Sequence, residues 1–298
     1  MRRRSYSAIA AGLFAVLALE GSATPQPPAG HIGSYTWTSD DRRFGGFSGI
    51  EILADGQSFT ALSDHGGWIS GRFRRDATGM IVGIDAGPVH RLKSDSEKPL
   101  SKGRTDSEGL ALAPDGSFYV SLERKVRVLY YVTIGGFAEN LPVHPDFARM
   151  KRNAALEALA VDANGWLYTL PEESSGAKKP FKIYRFRNGV WDQPFELPRT
   201  DRYLPVGMDF GPDGHLYLLE RQFHGVGGFA SRVRRFTVNS QGLSDAEVLL
   251  ETPPGLHDNL EGLSVWRDAG GVLRLTMVSD DNFSFFQRTE IVEYRVPG

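Results

Sequence analysis

The chain has 298 residues, a formal net charge of -2 and no cysteine. This length suits one large β domain or two small ones. The small net charge gives no reason to expect nucleic acid or an anionic membrane as a partner. Without cysteine there is no disulfide, no lipid-modified cysteine and no thiolate chemistry.

The N-terminus has the pattern of a cleaved signal peptide. Basic residues at 2–4 precede an apolar run at 8–19, and the small residues Gly21 and Ala23 fit a cleavage site. The apolar run is short for a membrane span, and an uncleaved anchor is the alternative. We expect a signal peptide over residues 1–23, export to the periplasm or the medium by the general or the twin-arginine route, and no membrane span after processing.

A proline-rich spacer at 24–30 leads into a single β domain, which we place at residues 31–298. The first predicted strand, at 31–38, has no hairpin partner beside it in the sequence. Longer connectors at 88–105 and 135–155 interrupt the later strands, and a short helix is expected at 144–153. Residues 221–230 form a glycine-rich loop.

Five similar β-hairpins occupy most of the domain. Their first strands carry a small residue at the same offset, and these marks are 60, 49, 49 and 55 residues apart: Gly49, Gly109, Ala158, Gly207 and Gly262. Four of the hairpins turn on Asp-Gly or Asn-Gly, which tolerate positive φ. A period near 50 residues built from strands and turns is typical of a β-propeller; a β-sandwich of hairpins is the alternative.

The segments between the hairpins predict two outer strands for each blade, and therefore five blades of four strands. After the last hairpin the chain has only one more strand, at 289–296. Because a propeller ring must close, we expect the N-terminal strand to complete the last blade. The sequence leaves open whether residues 66–104 contain a sixth, degenerate blade.

Acidic residues recur at the open edges of these hairpins. Every second strand ends on one, and three of the first strands begin with one, whereas Ser48 and Val206 break the second set. If the hairpins are the innermost strands, these carboxylates meet at one mouth of the channel and raise one another's pKa. The two sets are Asp64, Glu123, Glu172, Glu220 and Asp280, and Glu108, Glu157 and Glu261.

Such a ring of carboxylates needs cations, and oxygen-rich sites favour Ca²⁺ or Mg²⁺. We predict a divalent metal, Ca²⁺ foremost, held by Asp64, Glu108, Glu157, Glu261 and Asp280. Catalytic roles are predicted for Arg221, Arg288 and His65, and substrate contacts for Arg124, His257 and Asn282. In the alternative, the acids bond backbone amides and basic side chains and brace neighbouring blades.

Several of these motifs resemble those of a known family. The most specific are Asn259-Leu260-Glu261-Gly262-Leu263 and Ser279-Asp280-Asp281-Asn282-Phe283-Ser284. They are similar to the bacterial phytase-like family, described as having the esterase-like activity of phytase, and the resemblance runs from about residue 44 to 296. It implies a β-propeller and a hydrolase of phosphate or carboxylic esters. By analogy with β-propeller phytases, it also implies Ca²⁺.

The sequence therefore predicts an exported, monomeric, metal-assisted hydrolase whose partner is a small-molecule ester, with phosphate esters first. Water activated by the metal would attack, and Arg221 or Arg288 would stabilise the developing charge. One alternative is a non-catalytic periplasmic binding or scaffold propeller with a structural metal. Another is a lactonase-type hydrolase in which a channel Ca²⁺ activates the lactone carbonyl.

Overall fold

The computed structural model describes residues 25–96, 98–100, 105–150, 155–174, 176 and 179–297. The predicted signal peptide lies outside these residues. The described chain is all-β and forms five antiparallel sheets, as the repeat predicted. Within this part of the chain, the structure has no helix with the length and hydropathy that a membrane span needs.

Each of the first four blades is formed by consecutive strands. Blade 1 consists of β2 (Phe47–Ile52), β3 (Ser58–Ser63), β4 (Gly67–Arg75) and β5 (Ile81–Ala86), with β6 (His90–Arg91) paired to β4. Blade 2 consists of β7 (Ser107–Leu112), β8 (Phe118–Leu122), β9 (Arg127–Tyr131) and β10 (Glu139–Asn140). Blade 3 consists of β11 (Leu156–Val161), β12 (Leu167–Pro171), β13 (Phe181–Arg187) and β14 (Val190–Leu197). Blade 4 consists of β15 (Leu204–Phe210), β16 (Leu216–Phe223), β17 (Phe229–Asn239) and β18 (Gly242–Glu251).

The last blade combines both ends of the chain. It consists of β19 (Asn259–Arg267), β20 (Leu273–Asp280), β21 (Glu290–Arg295) and the N-terminal strand β1 (His31–Thr36). Strand β1 pairs antiparallel with β21, so that Tyr35 lies opposite Ile291. The predicted closure of the ring is therefore confirmed.

The first strand of each blade lines the centre of the ring. Strands β2, β7, β11, β15 and β19 contact one another in that order, and β19 contacts β2 again. The ring therefore has five blades. Residues 67–91 lie within the stretch 66–104, for which a sixth blade stayed open, and they supply the outer strands of blade 1.

Local chemistry explains the hairpins and the packing between blades. At the first turn, Gly56 has φ of +66°, and the Asp55 carboxylate accepts the Ser58 N–H at 2.7 Å. Apolar faces of adjacent sheets pack together, as where Phe59 of blade 1 shares a core with Val278 of blade 5. The expected helix at 144–153 is a short 3-10 helix, Pro145–Arg149; residues 151–153 lie outside the described chain.

Candidate active site at one mouth of the channel

A β-bulge interrupts the innermost strand of every blade at the same place. The register shifts fall between Phe47 and Gly49, Ser107 and Leu110, Leu156 and Ala158, Pro205 and Gly207, and Leu260 and Gly262. A bulge leaves a residue out of the ladder and re-aims its side chain. In three blades the bulge includes an edge acid: Glu108, Glu157 and Glu261.

The small residues that marked the repeat allow the bulges of neighbouring blades to approach closely. A Cβ on Gly109 would lie 2.8 Å from the carbonyl oxygen of Glu157 in the next blade. A Cβ on Gly262 would lie 2.9 Å from the Cα of Gly49. Such separations are too short for a side chain, so glycine is required at positions 109 and 262.

The middle of the channel is too narrow for a substrate. The cavity there has a volume of about 10 Å³, and Gly49, Gly109, Gly207 and Gly262 are among its lining residues. That is roughly the space of one water molecule. A ligand larger than water must therefore bind at one of the two mouths.

One mouth carries a concentrated negative charge. Eight carboxylates are grouped there, and we call them the acidic mouth: Asp64, Asp106, Glu108, Glu123, Glu157, Glu172, Glu261 and Asp280. Burial raises the pKa of Asp64 to about 6, with Glu261 adding to the effect, and burial raises that of Glu123 to about 7. Burial and the charge of Glu261 raise the pKa of Asp280 to about 8. Burial, together with neighbouring carboxylates, also raises the pKa values of Glu108, Glu157 and Glu261.

Among the described residues, two arginines form ion pairs with this group. Arg124 pairs with Asp106 at the rim. Arg221 lies deeper: its Nη2 is 2.9 Å from Glu172, its Nη1 pairs with Glu261, and the same Nη1 donates to Asn259 at 2.7 Å. The two carboxylates raise the pKa of Arg221 further, so it stays charged. Two arginines do not balance eight carboxylates.

Glu220 does not join the acidic mouth, which corrects the expectation that all five second-strand acids converge there. Strand β16 continues to Phe223, and Glu220 is only 1% exposed. Its carboxylate accepts hydrogen bonds from Arg232 at 2.9 Å and from Arg234 at 2.6 and 2.8 Å. Both arginines belong to the adjacent strand β17, so this acid braces its own blade.

His65 does lie at the acidic mouth, beside Asp64. The Nε2 atom of His65 is 3.8 Å from an oxygen of Asp64, and the His65 side chain is 67% exposed. Its ring stacks on Phe283 at 4.3 Å. Adjacent strand residues point apart, but β3 ends at Ser63, and the turn that follows brings the two side chains together.

The remaining predicted residues come from blade 5 and differ in position. Arg288 pairs with Glu290 at 3.3 Å and stays 47% exposed at the rim. Asn282 donates its backbone N–H to Asp280 at 2.6 Å, so it shapes the turn after β20. His257 is only 4% exposed, and its Nε2 lies 2.7 Å from the Tyr294 hydroxyl. Its ring therefore packs inside the blade, which does not favour the predicted contact of His257 with a substrate.

Asn259 is a mouth residue that begins one of the family motifs but for which the sequence predicted no role. Its side chain donates to Glu261 at 2.8 Å and accepts from Arg221 at 2.7 Å. It also lies directly opposite Asp280 in the hairpin. The register of the bulged hairpin decides this contact.

The donor set has the chemistry of a hard-cation site. All five predicted ligands are carboxylates that interact through their charges within this mouth. In the described part of the chain, no three His, Asp or Glu side chains form a ready-made metal-ligand group. The carboxylates would therefore have to move closer together around a cation.

A family model described as "Phytase-like: Esterase-like activity of phytase" matches residues 42–283. The chain belongs to this family. The matched region begins before the first inner strand and ends within the loop that contains Phe283, so it includes every member of the acidic mouth. A search of curated proteins finds no match.

Solved structures share only the general fold. A catalytically inactive virginiamycin B lyase from Staphylococcus aureus with quinupristin is 14% identical, with a TM-score of 0.44 over 89% of this chain and 75% of that chain. A PQQ-bound aldose sugar dehydrogenase from Streptomyces coelicolor is 14% identical, with a TM-score of 0.43 over 91% and 100% of the two chains. A nidogen/laminin complex is 13% identical, with a TM-score of 0.45 over 76% and 71%. None of these resemblances bears on the chemistry of the mouth.

Proposed function

We propose that the protein is a hydrolase of small-molecule esters that uses a divalent cation, Ca²⁺ foremost, at the acidic mouth. The surplus of buried carboxylate carries this proposal, because burial and the charge of Glu261 raise the pKa values of both Asp64 and Asp280. Gathering such charges without a cation is costly. Membership of a family described by esterase-like activity supports the same reaction class.

Asp64, Glu108, Glu157, Glu261 and Asp280 would hold the cation through their carboxylate oxygens. When bound, the cation would polarise the ester and acidify water. Arg221 orients Glu261 through its ion pair, and Asn259 supports the same carboxylate. The exposed imidazole of His65, beside Asp64, is placed to accept a proton at Nε2.

The rim supplies the charges that would meet an ester group. Arg288 and Arg124 have side chains that are 47% and 56% exposed, and each holds one acid while presenting the rest of its guanidinium to solvent. Guanidinium groups stabilise charge on phosphate or carboxylate oxygens. A monoanionic or neutral ester suits this mouth better than a polyanion, since the carboxylates outnumber the arginines.

The direct test is turnover of phosphate and carboxylic esters by the purified protein with Ca²⁺ and with chelator. Glu261→Gln keeps the shape and a hydrogen-bonding oxygen but removes one charge, and we expect it to abolish Ca²⁺-dependent turnover. Glu247→Gln is the matched control, because Glu247 is 51% exposed on an outer strand and pairs with Arg235. Full activity in chelator or in Glu261→Gln would overturn the proposal. Absent turnover with a Ca²⁺-raised melting temperature would favour a binding propeller.

Export is part of the same proposal. The basic and apolar N-terminal pattern supports cleavage near residue 23. Mass spectrometry of the protein recovered from its host should find a mature N-terminus near Thr24. An intact Met1 in the exported fraction would contradict cleavage.

A further inference from the structure

Two loops at the acidic mouth carry exposed aromatic side chains. The first loop, residues 222–228, consists of the last two residues of β16 and the turn into β17, and it contains Phe223, which is 66% exposed. The second, residues 281–289 between β20 and β21, contains Phe285 at 88% and Phe286 at 84% exposure. We call these three phenylalanines the aromatic rim. Exposed apolar patches of this kind mark binding surfaces.

Both loops are joined to the acidic mouth by direct contacts. The second begins immediately after Asp280, and its Phe283 stacks on His65 at 4.3 Å. The first follows Arg221, whose guanidinium lies 6.0 Å from the ring of Phe229. The loops that carry the aromatic rim therefore adjoin residues assigned to ester hydrolysis.

The segment before β19 lies between the two loops and contacts both. Gly255 donates its N–H to Phe229 at 2.9 Å, beside the first loop. Asp258 accepts from Gln287 at 3.0 Å and from the backbone of Arg288 at 2.9 Å, in the second loop. The two sets of aromatic side chains thus flank one side of the mouth.

The second loop is held in shape by its own hydrogen bonds. Asn282 and Phe283 adopt left-handed φ of 48° and 49°, which costs energy in non-glycine residues. Asp281 accepts the N–H of Gly46 at 2.9 Å and the Thr289 hydroxyl at 2.9 Å, which fixes the loop on both sides. The centroids of the Phe285 and Phe286 rings lie 3.8 Å apart. A strained, well-bonded loop that presents two aromatic rings to water suggests a ligand for those rings.

We propose that the aromatic rim binds the apolar part of the substrate, so that the substrates are esters with an aryl or a medium-length acyl group. This inference rests on the proposed function. The negative charge of the mouth disfavours a small polyanion, whereas an apolar group gains free energy by covering the exposed rings. The exposed arginines at the edge of the mouth, Arg124 and Arg288, can pair with one negative charge near the ester bond that is cleaved.

The experiment compares methyl acetate, methyl butyrate and methyl octanoate, followed by acid release, together with phenyl and methyl phosphate, in Ca²⁺. We expect kcat/KM to rise with the apolar group in the wild type. Phe285→Ser combined with Phe286→Ser should lower kcat/KM for octanoate by roughly tenfold, the loss expected for one apolar contact of this size. The acetate value should change less than twofold, because acetate does not reach the rim.

Phe137→Ser is the control, because Phe137 is an exposed aromatic residue, at 50%, in the connector after β9 and outside both loops. Equal turnover of all chain lengths, or equal loss on every ester in the double variant, would overturn the inference while leaving the proposed function intact. No Ca²⁺-dependent turnover of any ester would overturn the proposed function instead. Self-association, or binding to phosphatidylethanolamine–phosphatidylglycerol vesicles, that the double variant abolishes would assign the rim to a second copy or a membrane and also overturn the inference.

Discussion

At the mouth formed by the hairpin turns, one buried and one partly buried acid each accept a hydrogen bond from the next blade. Glu51 of blade 1 accepts from Leu112 N–H of blade 2 at 3.0 Å, and Asp209 of blade 4 accepts from Val265 N–H of blade 5 at 2.6 Å. Glu51 also faces Asp209, whose charge adds to burial in raising the pKa of Glu51, so this mouth holds one interacting pair of acids. At the opposite, acidic mouth, eight carboxylates are grouped, and Asp64 and Asp280 each face several others. The same residue type therefore braces blades at one end of the channel and accumulates charge at the other.

This difference separates the two readings of the repeated acids. Bracing accounts for Glu51, Asp209 and Glu220, because a backbone amide or an arginine accompanies each of them. Glu123 combines the two roles, because it accepts a hydrogen bond from the Ala155 N–H at 3.3 Å and also has a raised pKa. At the acidic mouth, Arg221 pairs with Glu172 and Glu261, and the Asn282 N–H donates to Asp280. Because the eight carboxylates there outnumber the arginines that pair with them among the described residues, the group favours a cation-binding role.

The largest effect should come from Arg221→Met. This change leaves Glu172 and Glu261 buried without their cation, and breaking a buried pair costs about 3–5 kcal/mol. Urea unfolding should show that loss in the free energy of unfolding. Arg235→Met is the control, because its partner Glu247 is exposed and the pair should contribute less than ~1 kcal/mol. Equal losses in the two variants would show that the acidic mouth does not need Arg221.

Glu220→Gln should also destabilise the protein, by about 2–4 kcal/mol, because Arg232 and Arg234 lose a buried carboxylate. Its activity per folded molecule should stay at the wild-type level, since Glu220 lies outside the acidic mouth. Comparing kcat of this variant with that of Glu261→Gln separates bracing from chemistry. If Glu220→Gln lost as much kcat as Glu261→Gln, the distinction between a bracing acid and an acid of the active site would be contradicted.

The acidic mouth should also make stability depend on pH. The pKa values of Asp64, Glu123 and Asp280 are raised to about 6, 7 and 8, above the value of about 4 in an unfolded chain. The native state therefore binds more protons between pH 4 and 8, and its stability is greatest at the lower end and falls as pH rises through these values. With chelator present, the melting temperature should fall by about 5 °C from pH 5 to pH 8.5.

Two additions sharpen this pH experiment. Ca²⁺ should restore much of the lost stability at pH 8.5, and Asp280→Asn should reduce the dependence on pH. A melting temperature that rises between pH 5 and 8.5 in chelator would contradict the raised pKa values.

The smallest effect is expected at the mouth formed by the hairpin turns. Asp209→Asn keeps an oxygen that can accept the Val265 N–H, so the free energy of unfolding should change by about 1 kcal/mol or less. The Ca²⁺-dependent rise in melting temperature should remain as in the wild type. Loss of that rise in Asp209→Asn would show that the cation binds at the mouth formed by the hairpin turns, and this would contradict a site at the acidic mouth.

The fold could be predicted because its signals are local and repeated. Asp55-Gly56 and its counterparts fix the turns, and the single strand left after the last hairpin required β1 to complete blade 5. The bulges could not be read directly, because they depend on the register against a partner strand. Their trace in the sequence is the small residue that follows, such as Gly109 or Gly262.

The site was only partly predictable for the same reason. The edge acids were visible because each ends or begins a strand. The pairing of Glu220 with Arg232 and Arg234 depends on which face of β16 meets β17, and the burial of His257 depends on its contact with Tyr294. These contacts between strands cannot be inferred from the spacing of residues along the chain.

Calorimetric titration with Ca²⁺ at pH 6.5, in two buffers that differ in ionisation enthalpy, tests the central claim most directly. If Ca²⁺ binds at the acidic mouth, carboxylates with raised pKa values must lose protons, so the observed heat should differ between the buffers and report about one proton or more released. The release should shrink in Asp280→Asn. Absence of Ca²⁺ binding, or binding without proton release that Asp280→Asn leaves unchanged, would contradict a cation site among these carboxylates.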